Sequence, residues 1–170
     1  MKNLMTALLT ATVAAGALTA CQTTSTMPNN PAVVAQPLNS QVLQAYQWQL
    51  VDAKRMDGTR IAPLFYDAKK PLILQFATEV TNEGNYNRLG FMNTCNSMGA
   101  TYAIQNGNVE LSNMLSTKMM CAQPEQNFDD AALAIVQGKY SITKEANQAP
   151  MLTIQNANTV AQFKAVTNAK

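Results

Sequence analysis

The residues best suited to chemistry in this chain are its sulfur-containing side chains, three cysteines and ten methionines. Cys21 stands near the N-terminus, while Cys95 and Cys121 lie far along the chain. Cysteines can be lipidated, can form disulfides, and can bind soft metal ions together with methionine. Neither Cys95 nor Cys121 has a partner in a Cys-x-x-Cys motif, so the sequence contains no thioredoxin-like redox pair.

The first twenty residues have the composition of a signal peptide. A short basic start precedes residues 4–17, an apolar run too short to span a bilayer. Leu18-Thr19-Ala20-Cys21 resembles the bacterial lipobox, after which cleavage leaves the cysteine first and its sulfur is lipidated. Gln22 rather than Asp follows, which under the enterobacterial sorting rule predicts the periplasmic face of the outer membrane. The alternative to a lipobox is an ordinary secretory signal with a chance cysteine. The alternative to the outer membrane is retention in the inner membrane.

If Cys21 carries lipid, Cys95 and Cys121 remain as a pair in an oxidising compartment, where an even number favours a disulfide. Such a bridge would stabilise the fold by roughly 3.5 kcal/mol on the chain-entropy formula. Two free thiols or a metal pair are the alternatives. The sharpest alternative is Cu(I), because soft sulfur ligands suit it and methionines flank both cysteines. These methionines are Met92, Met98, Met114, Met119 and Met120.

Groups suited to catalysis are scarce. The chain has no histidine, which excludes histidine-dependent acid–base chemistry. Asp129 and Asp130 are adjacent carboxylates, and with no base nearby in sequence we expect them on a solvated helix face. Residues 141–144 match the Ser-x-x-Lys motif of penicillin-recognising enzymes, but their alternating pattern predicts a strand rather than the required helical turn. We therefore expect no enzymatic activity, no cofactor and no metal site.

The composition also limits the partners. Twelve Lys and Arg against ten Asp and Glu give a net charge of +2, and charged residues are only 13% of the chain. Because nucleic-acid binding requires clustered Lys and Arg to neutralise phosphates, we expect no nucleic-acid partner. The length suits a single domain.

From Tyr46 onward the apolar residues mostly alternate with polar ones, which predicts strands. The predicted strands cover residues 46–50, 72–76, 86–93, 101–105, 109–111, 139–143, 151–155 and 159–166. Asn106-Gly107 predicts a hairpin turn. Phe128, Ala132, Ile135 and Val136 have helical spacing, which predicts one amphipathic helix from Pro124 to about Gly138.

The segment before Tyr46 has a different composition. Residues 22–36 are rich in Thr, Ser, Asn, Pro and Ala and lack apolar periodicity, which is typical of a flexible tether. Residues 39–45 are suited to a short helical turn. The predicted fold is therefore β-rich α+β, a curved antiparallel sheet packed by one amphipathic helix.

Sixteen residues between Trp48 and Phe163 form a pattern. They are Trp48, Phe76, Gly90, Cys95, Asn96, Gly99, Tyr102, Ser116, Thr117, Met119, Cys121, Glu125, Phe128, Tyr140, Leu152 and Phe163. With Cys-Asn followed by Ser-Thr-x-Met-x-Cys and Glu-x-x-Phe, the pattern resembles the META domain, also called the HslJ-like family. One departure is Asn93-Thr94, because the family commonly has Gly before the cysteine.

The resemblance implies a half-barrel in a small protein that is often a membrane-anchored lipoprotein. Together with the signal peptide, the lipobox-like sequence and the tether, it gives the expected organisation: 1–20 signal peptide, 21–45 lipidated N-terminus and tether, 46–166 META domain and 167–170 tail. No enzymatic chemistry is established for the family, whose HslJ branch is linked to envelope stress and antibiotic tolerance. The implied function is to support the envelope by binding a protein partner. A carrier of an apolar ligand or lipid, in a cleft between sheet and helix, is the alternative.

We expect the signature residues to fix the fold; a ligand site formed by them is the alternative. Gly90 and Gly99 are expected to allow backbone geometry that other residues cannot adopt. The side chains of Asn96 and Thr117 are expected to bond to nearby backbone and fix turns. The cysteines would tie two of these segments together.

Overall fold

The computed structural model describes residues 32–167; the predicted signal peptide, Cys21 and residues 168–170 lie outside this range. Within 32–167 the chain forms nine strands, two α-helices and a short 3₁₀ turn at Ala62–Phe65. The strands are β1 Val34–Gln36, β2 Gln47–Arg55, β3 Ile73–Thr81, β4 Gly84–Met92, β5 Met98–Gln105, β6 Asn108–Ser116, β7 Lys139–Lys144, β8 Met151–Gln155 and β9 Thr159–Val166. The helices are α1 Ser40–Gln44 and α2 Gln123–Ile135.

All strands of residues 32–167 belong to one antiparallel sheet, ordered β1-β7-β8-β9-β2-β3-β4-β5-β6. The order follows from two runs of hairpins, β3 to β6 and β7 to β9, because consecutive antiparallel strands pair with their neighbours. β2 joins the two runs, because it pairs with β9 on one side and with β3 on the other. The sheet is open and curled, with one main helix, so the predicted fold class is confirmed.

Helix α2 packs its apolar side into the core, as its spacing predicts. Phe128, Ala132, Ile135 and Val136 are at most 1% exposed and belong to one cluster with Trp48 and residues of most strands. The indole Nε1 of Trp48 donates a hydrogen bond to the carbonyl of Leu43 at 2.9 Å, which fastens α1 to β2. The helical periodicity therefore identified both the helix and its buried side.

Part of the segment predicted to be a tether is ordered. Val34–Gln36 pairs with β7, with Val34 opposite Lys144. The side chain of Asn39 caps α1 by accepting from the Val42 N–H at 2.9 Å, and Leu43 is fully buried. The short helical turn predicted over 39–45 is thus present, and the ordered domain begins before Tyr46. A three-residue strand is too short to produce a hydrophobic period in the sequence.

The turn residues show which sequence signals were reliable. Asn106 and Gly107 both have positive φ, 51° and 75°, so the predicted hairpin turn is confirmed. The unusual backbone geometry expected at Gly90 and Gly99 is absent, because neither has positive φ. Gly99 instead allows close approach within the sheet, since a Cβ there would lie 3.0 Å from the carbonyl oxygen of Leu89.

Gly138 was expected to end α2, and this prediction was wrong. The helix ends at Ile135, and its cap residue Val136 has ordinary right-handed geometry. Gly138 lies just before β7. A Cβ added to it would overlap the carbonyl group of Gln155, because that Cβ would lie only 2.8 Å from the carbonyl carbon. The glycine is needed for a close contact between backbones rather than for a helix cap.

These contacts predict different losses of stability for two glycine substitutions. Gly138→Ala should destabilise the protein by about 1–3 kcal/mol, because the new methyl group has no room against Gln155. The matched change Gly90→Ala should alter stability by no more than about 0.5 kcal/mol, since the nearest atom to its Cβ is 3.9 Å away. Urea unfolding of both variants measures the difference, and equal losses would contradict the packing account.

Candidate functional site

Several signature residues of the sequence come together on two neighbouring loops beside the first turns of α2. One loop joins β4 to β5 and contains Cys95 and Asn96; the other, residues 117–122, joins β6 to α2. We call the second the methionine loop, because it carries Met119 and Met120. The signature cluster is the set of side chains that connects these segments: Cys95, Asn96, Thr117, Cys121 and Asp129.

Asn96 lies at the centre of the signature cluster and is only 4% exposed. Its Oδ1 accepts from the backbone N–H of Met119 at 2.7 Å and from the Thr117 hydroxyl at 3.2 Å. Its Nδ2 donates to Asp129 Oδ2 at 3.0 Å and to Cys121 Sγ at 3.3 Å. Both donors and both acceptor positions of the amide are therefore engaged within the protein.

Asp129 was expected on a solvated helix face, and this prediction was wrong. The residue is 2% exposed, and its carboxylate accepts three hydrogen bonds from the loop between β4 and β5. Oδ1 accepts from the Cys95 N–H at 3.1 Å, and Oδ2 from the backbone and side-chain N–H groups of Asn96 at 2.8 and 3.0 Å. Several N–H donors stabilise a buried carboxylate, which explains how this charge is tolerated. Asp130 is exposed as predicted and accepts only from Gln126.

A disulfide joins Cys95 to Cys121, as the sequence predicts, and it links the same two loops. Thr117 reinforces the link, since its hydroxyl accepts from the Ser97 N–H at 3.0 Å and its own N–H donates to the Ser97 carbonyl at 3.1 Å. While the bridge is intact, neither cysteine offers the thiolate that a Cu(I) site would need. Within residues 32–167, His, Cys, Asp and Glu side chains do not gather in threes as potential metal ligands.

The methionine loop presents its two methionine side chains to solvent. Met119 is 60% exposed and Met120 is fully exposed, although the backbone of Met119 is bonded to the buried Asn96. The contribution of Met119 to the signature cluster is thus its N–H group. Nothing in the sequence pattern distinguished a backbone contact from a side-chain contact at this position.

The remaining signature residues lie elsewhere in the domain. Trp48 and Phe128 are core residues, and Gly90 and Gly99 are paired neighbours in β4 and β5. The Tyr102 hydroxyl accepts from Gln44 Nε2 at 2.8 Å. At the start of α2, Glu125 accepts from the Ala122 N–H at 3.2 Å and so satisfies a free backbone donor. These residues fix the fold around the cluster without entering it.

Asn93 lies in the segment that departs from the family pattern, two residues before Cys95. Its φ is +67°, a left-handed conformation that glycine adopts at little cost and asparagine tolerates better than most residues. Its Nδ2 also donates to the carbonyl of Pro71 at 2.7 Å. The side chain therefore adds a bond to a neighbouring segment at a position where the backbone favours glycine.

Tyr140 is the most strongly perturbed titratable group among the described residues. Burial raises the pKa of its phenol far above the ordinary value, and the hydroxyl donates to the Val136 carbonyl at the end of α2. Burial, and then the charge of Glu125, raise the pKa of Tyr66, which packs edge-on against Phe128. Both phenols therefore stay protonated near neutral pH and do not offer a general base.

Open clefts lie on the surface, while the space between α2 and the sheet is filled. A cleft of about 230 Å³ adjoins the signature cluster and is lined by residues including Lys118, Gln126 and Leu133. A larger one of about 500 Å³ lies over β3–β5 and the end of β6, with Gly90 and Leu115 in its lining. Buried core side chains occupy the helix–sheet interface, which is where the alternative function, a carrier, would hold its apolar ligand. Among residues 32–167, no helix has the length and apolar character required to cross a membrane.

Comparison with known proteins agrees with the sequence pattern. The model of the META domain family matches residues 41–167. An NMR structure of a protein from Burkholderia xenovorans has a similar fold, with a TM-score of 0.57 and 23% identity over 84% of this chain and 98% of that chain. A second NMR structure has 20% identity and a TM-score of 0.48 over 75% of this chain and 94% of that chain. No curated protein matches the chain.

The buried carboxylate gives a matched pair of predictions. Asp129→Asn should destabilise the protein by about 1.5–3 kcal/mol, because it removes the charge and places an amide against N–H donors. Asp130→Asn, one residue further and exposed, should change stability by less than about 0.5 kcal/mol. Chemical unfolding at neutral pH measures both, and equal effects would show that the carboxylate does not hold the loops.

The disulfide gives a second prediction. Cys95→Ser should lower the melting temperature in oxidising buffer, corresponding to a loss of roughly 3.5 kcal/mol on the chain-entropy formula. After full reduction the variant and the natural protein should melt at similar temperatures. A variant equally destabilised under both conditions would indicate that the cysteine acts through packing rather than through the bridge.

Proposed function

The chain belongs to the META domain family, and from this we propose that it is a non-enzymatic, lipid-anchored protein of the cell envelope. We propose further that it binds a protein partner and that the methionine loop is the binding surface. The META domain family is not a known enzyme family. The lipobox-like sequence ending at Cys21 supports the anchor and the periplasmic face of the outer membrane. In this role the protein supports envelope integrity under stress or antibiotic exposure.

The chemistry of the signature cluster favours a scaffold over a catalyst. The polar atoms of Asn96, Thr117 and Asp129 are bonded to one another or to backbone, and no buried side-chain polar atom among the described residues lacks a partner. A catalytic group must be free to bond to a substrate or to transfer a proton. The cluster therefore serves to hold the two loops in one conformation.

The observation that carries the proposal is the exposure of Met119 and Met120 on a loop that is otherwise firmly held. Hydrogen bonds hold the loop at Thr117, which contacts Ser97, and at the Met119 N–H, which donates to Asn96. The disulfide to Cys95 holds it at Cys121. The interactions that hold the fold do not require exposed apolar side chains at these two positions. Methionine is a common residue at binding surfaces, because its flexible thioether adapts to the partner.

A fixed loop that presents apolar side chains is suited to insertion into an apolar pocket. The conformational entropy of the loop is already lost in the free protein, so binding does not incur that cost again. Burying one methionine side chain contributes about 1.5–3 kcal/mol to the free energy of binding. Two buried methionines can therefore supply a large part of the affinity for the partner. The expected partner is an envelope protein with an apolar pocket.

Photo-crosslinking in intact cells tests this proposal. A photoreactive residue at Met120 of the full chain should capture one predominant envelope protein, whereas one at the exposed Gln162 on β9 should not. Replacing Met119 and Met120 by Ser should weaken binding of the captured partner at least tenfold, without changing the melting temperature, because both side chains are exposed. Equal capture from both positions, or none from Met120, would contradict the proposed surface.

The anchor is tested in the same cells. Cys21→Ser should remove lipid incorporation and release the protein from the membrane fraction. A variant that still carries lipid and still sediments with the outer membrane would contradict the lipobox interpretation, independently of the crosslinking result.

A further inference from the structure

The two sulfur atoms of the Cys95–Cys121 bridge lie in different environments. The Nδ2 of Asn96 donates a hydrogen bond to Cys121 Sγ at 3.3 Å. Among the described residues, no comparable donor contacts Cys95 Sγ. A hydrogen bond to a sulfur stabilises its negatively charged form, so Cys121 is the better leaving group.

The position of Cys121 in the chain acts in the same direction. Cys121 directly precedes Ala122, the N-cap residue of α2. The first turn of a helix carries partial positive charge, which favours a thiolate nearby. The carboxylate of Glu125 bonds at this helix start and partly offsets the effect, while Asp129 accepts from the backbone N–H of Cys95 itself. The hydrogen bond from Asn96 is therefore the main difference between the two sulfurs.

We propose that Cys95 is the site at which an incoming thiolate opens the bridge, with Cys121 as the leaving group. The thiolate sulfur forms a bond to Cys95 Sγ, the Cys95–Cys121 bond breaks, and its electron pair remains on Cys121 as a thiolate bonded to Asn96 Nδ2. A second thiolate then attacks the added sulfur, releasing an external disulfide and the Cys95 thiolate. Two external thiolates are oxidised in total, and the bridge is reduced by two electrons.

Opening the bridge in this way leaves the methionine loop attached. The bonds from Met119 and Thr117 to Asn96, and from Asn96 to Asp129, do not involve the broken bond. The mixed disulfide at Cys95 is therefore expected on a folded domain. The order in which the two sulfurs react does not depend on whether the methionine loop binds a partner.

Glutathione is the probe that tests the direction of attack. The folded full chain is treated with limiting glutathione, and free thiols are blocked with N-ethylmaleimide at low pH before digestion. Trypsin cleaves after Arg88, Lys118 and Lys139, so Cys95 and Cys121 fall in separate peptides, 89–118 and 119–139. Mass spectrometry should find glutathione on peptide 89–118 and the blocking group on peptide 119–139. This species should be at least fivefold more abundant than the one with glutathione on peptide 119–139 and the blocking group on peptide 89–118. Equal amounts, or an excess on Cys121, would overturn the proposal.

A second measurement uses folded variants that keep only one of the two bridge cysteines, with alkylation of that cysteine followed in its tryptic peptide so that Cys21 does not contribute. The rate of alkylation against pH gives the thiol pKa of Cys121 in Cys95→Ala and of Cys95 in Cys121→Ala. Cys121 should have the lower pKa, and in denaturant, where the contact with Asn96 is lost, the two values should converge. The reverse order in the folded variants would also overturn the proposal.

Discussion

A buried carboxylate on α2 is the interaction on which the arrangement of this domain depends. Asp129 accepts three hydrogen bonds from the loop that contains Cys95 and Asn96, which lies more than thirty residues earlier in the chain. A charge that is 2% exposed is stable only when its donors are in place. The carboxylate therefore makes the position of α2 and the conformation of the loop depend on each other.

Asn96 extends that dependence to the methionine loop. One side of its amide bonds to Asp129, and the other bonds to Thr117 and to the backbone of Met119. The disulfide connects the same segments covalently, so polar contacts and a covalent bond reinforce one geometry. This combination explains how a loop without secondary structure can hold two exposed methionines in place.

The sequence predicted the parts of the structure that produce local signals. Alternation identified most strands, the spacing from Phe128 to Val136 identified α2, and Asn106-Gly107 identified a hairpin. The cysteine count and the predicted compartment identified the bridge. It did not predict the burial of Asp129, because the donors that stabilise it come from a distant loop and the adjacent Asp130 is exposed. Gly138 was misinterpreted for the same reason, since the backbone that it must approach belongs to β8.

The position of β1 has a mechanical consequence for any pull that reaches the domain through its N-terminal segment. β1 is a three-residue edge strand antiparallel to β7, and the preceding chain leaves at Val34, opposite Lys144. β1 has only three paired residues and lies at the edge of the sheet, so it is the part of the sheet that such a load reaches first, while the buried Leu43 still holds α1. Detachment uncovers the backbone edge of β7 from Ile142 to Lys144, and an uncovered strand edge can pair with another chain. Tension on the N-terminal segment would thereby create a pairing surface that the unloaded domain keeps covered.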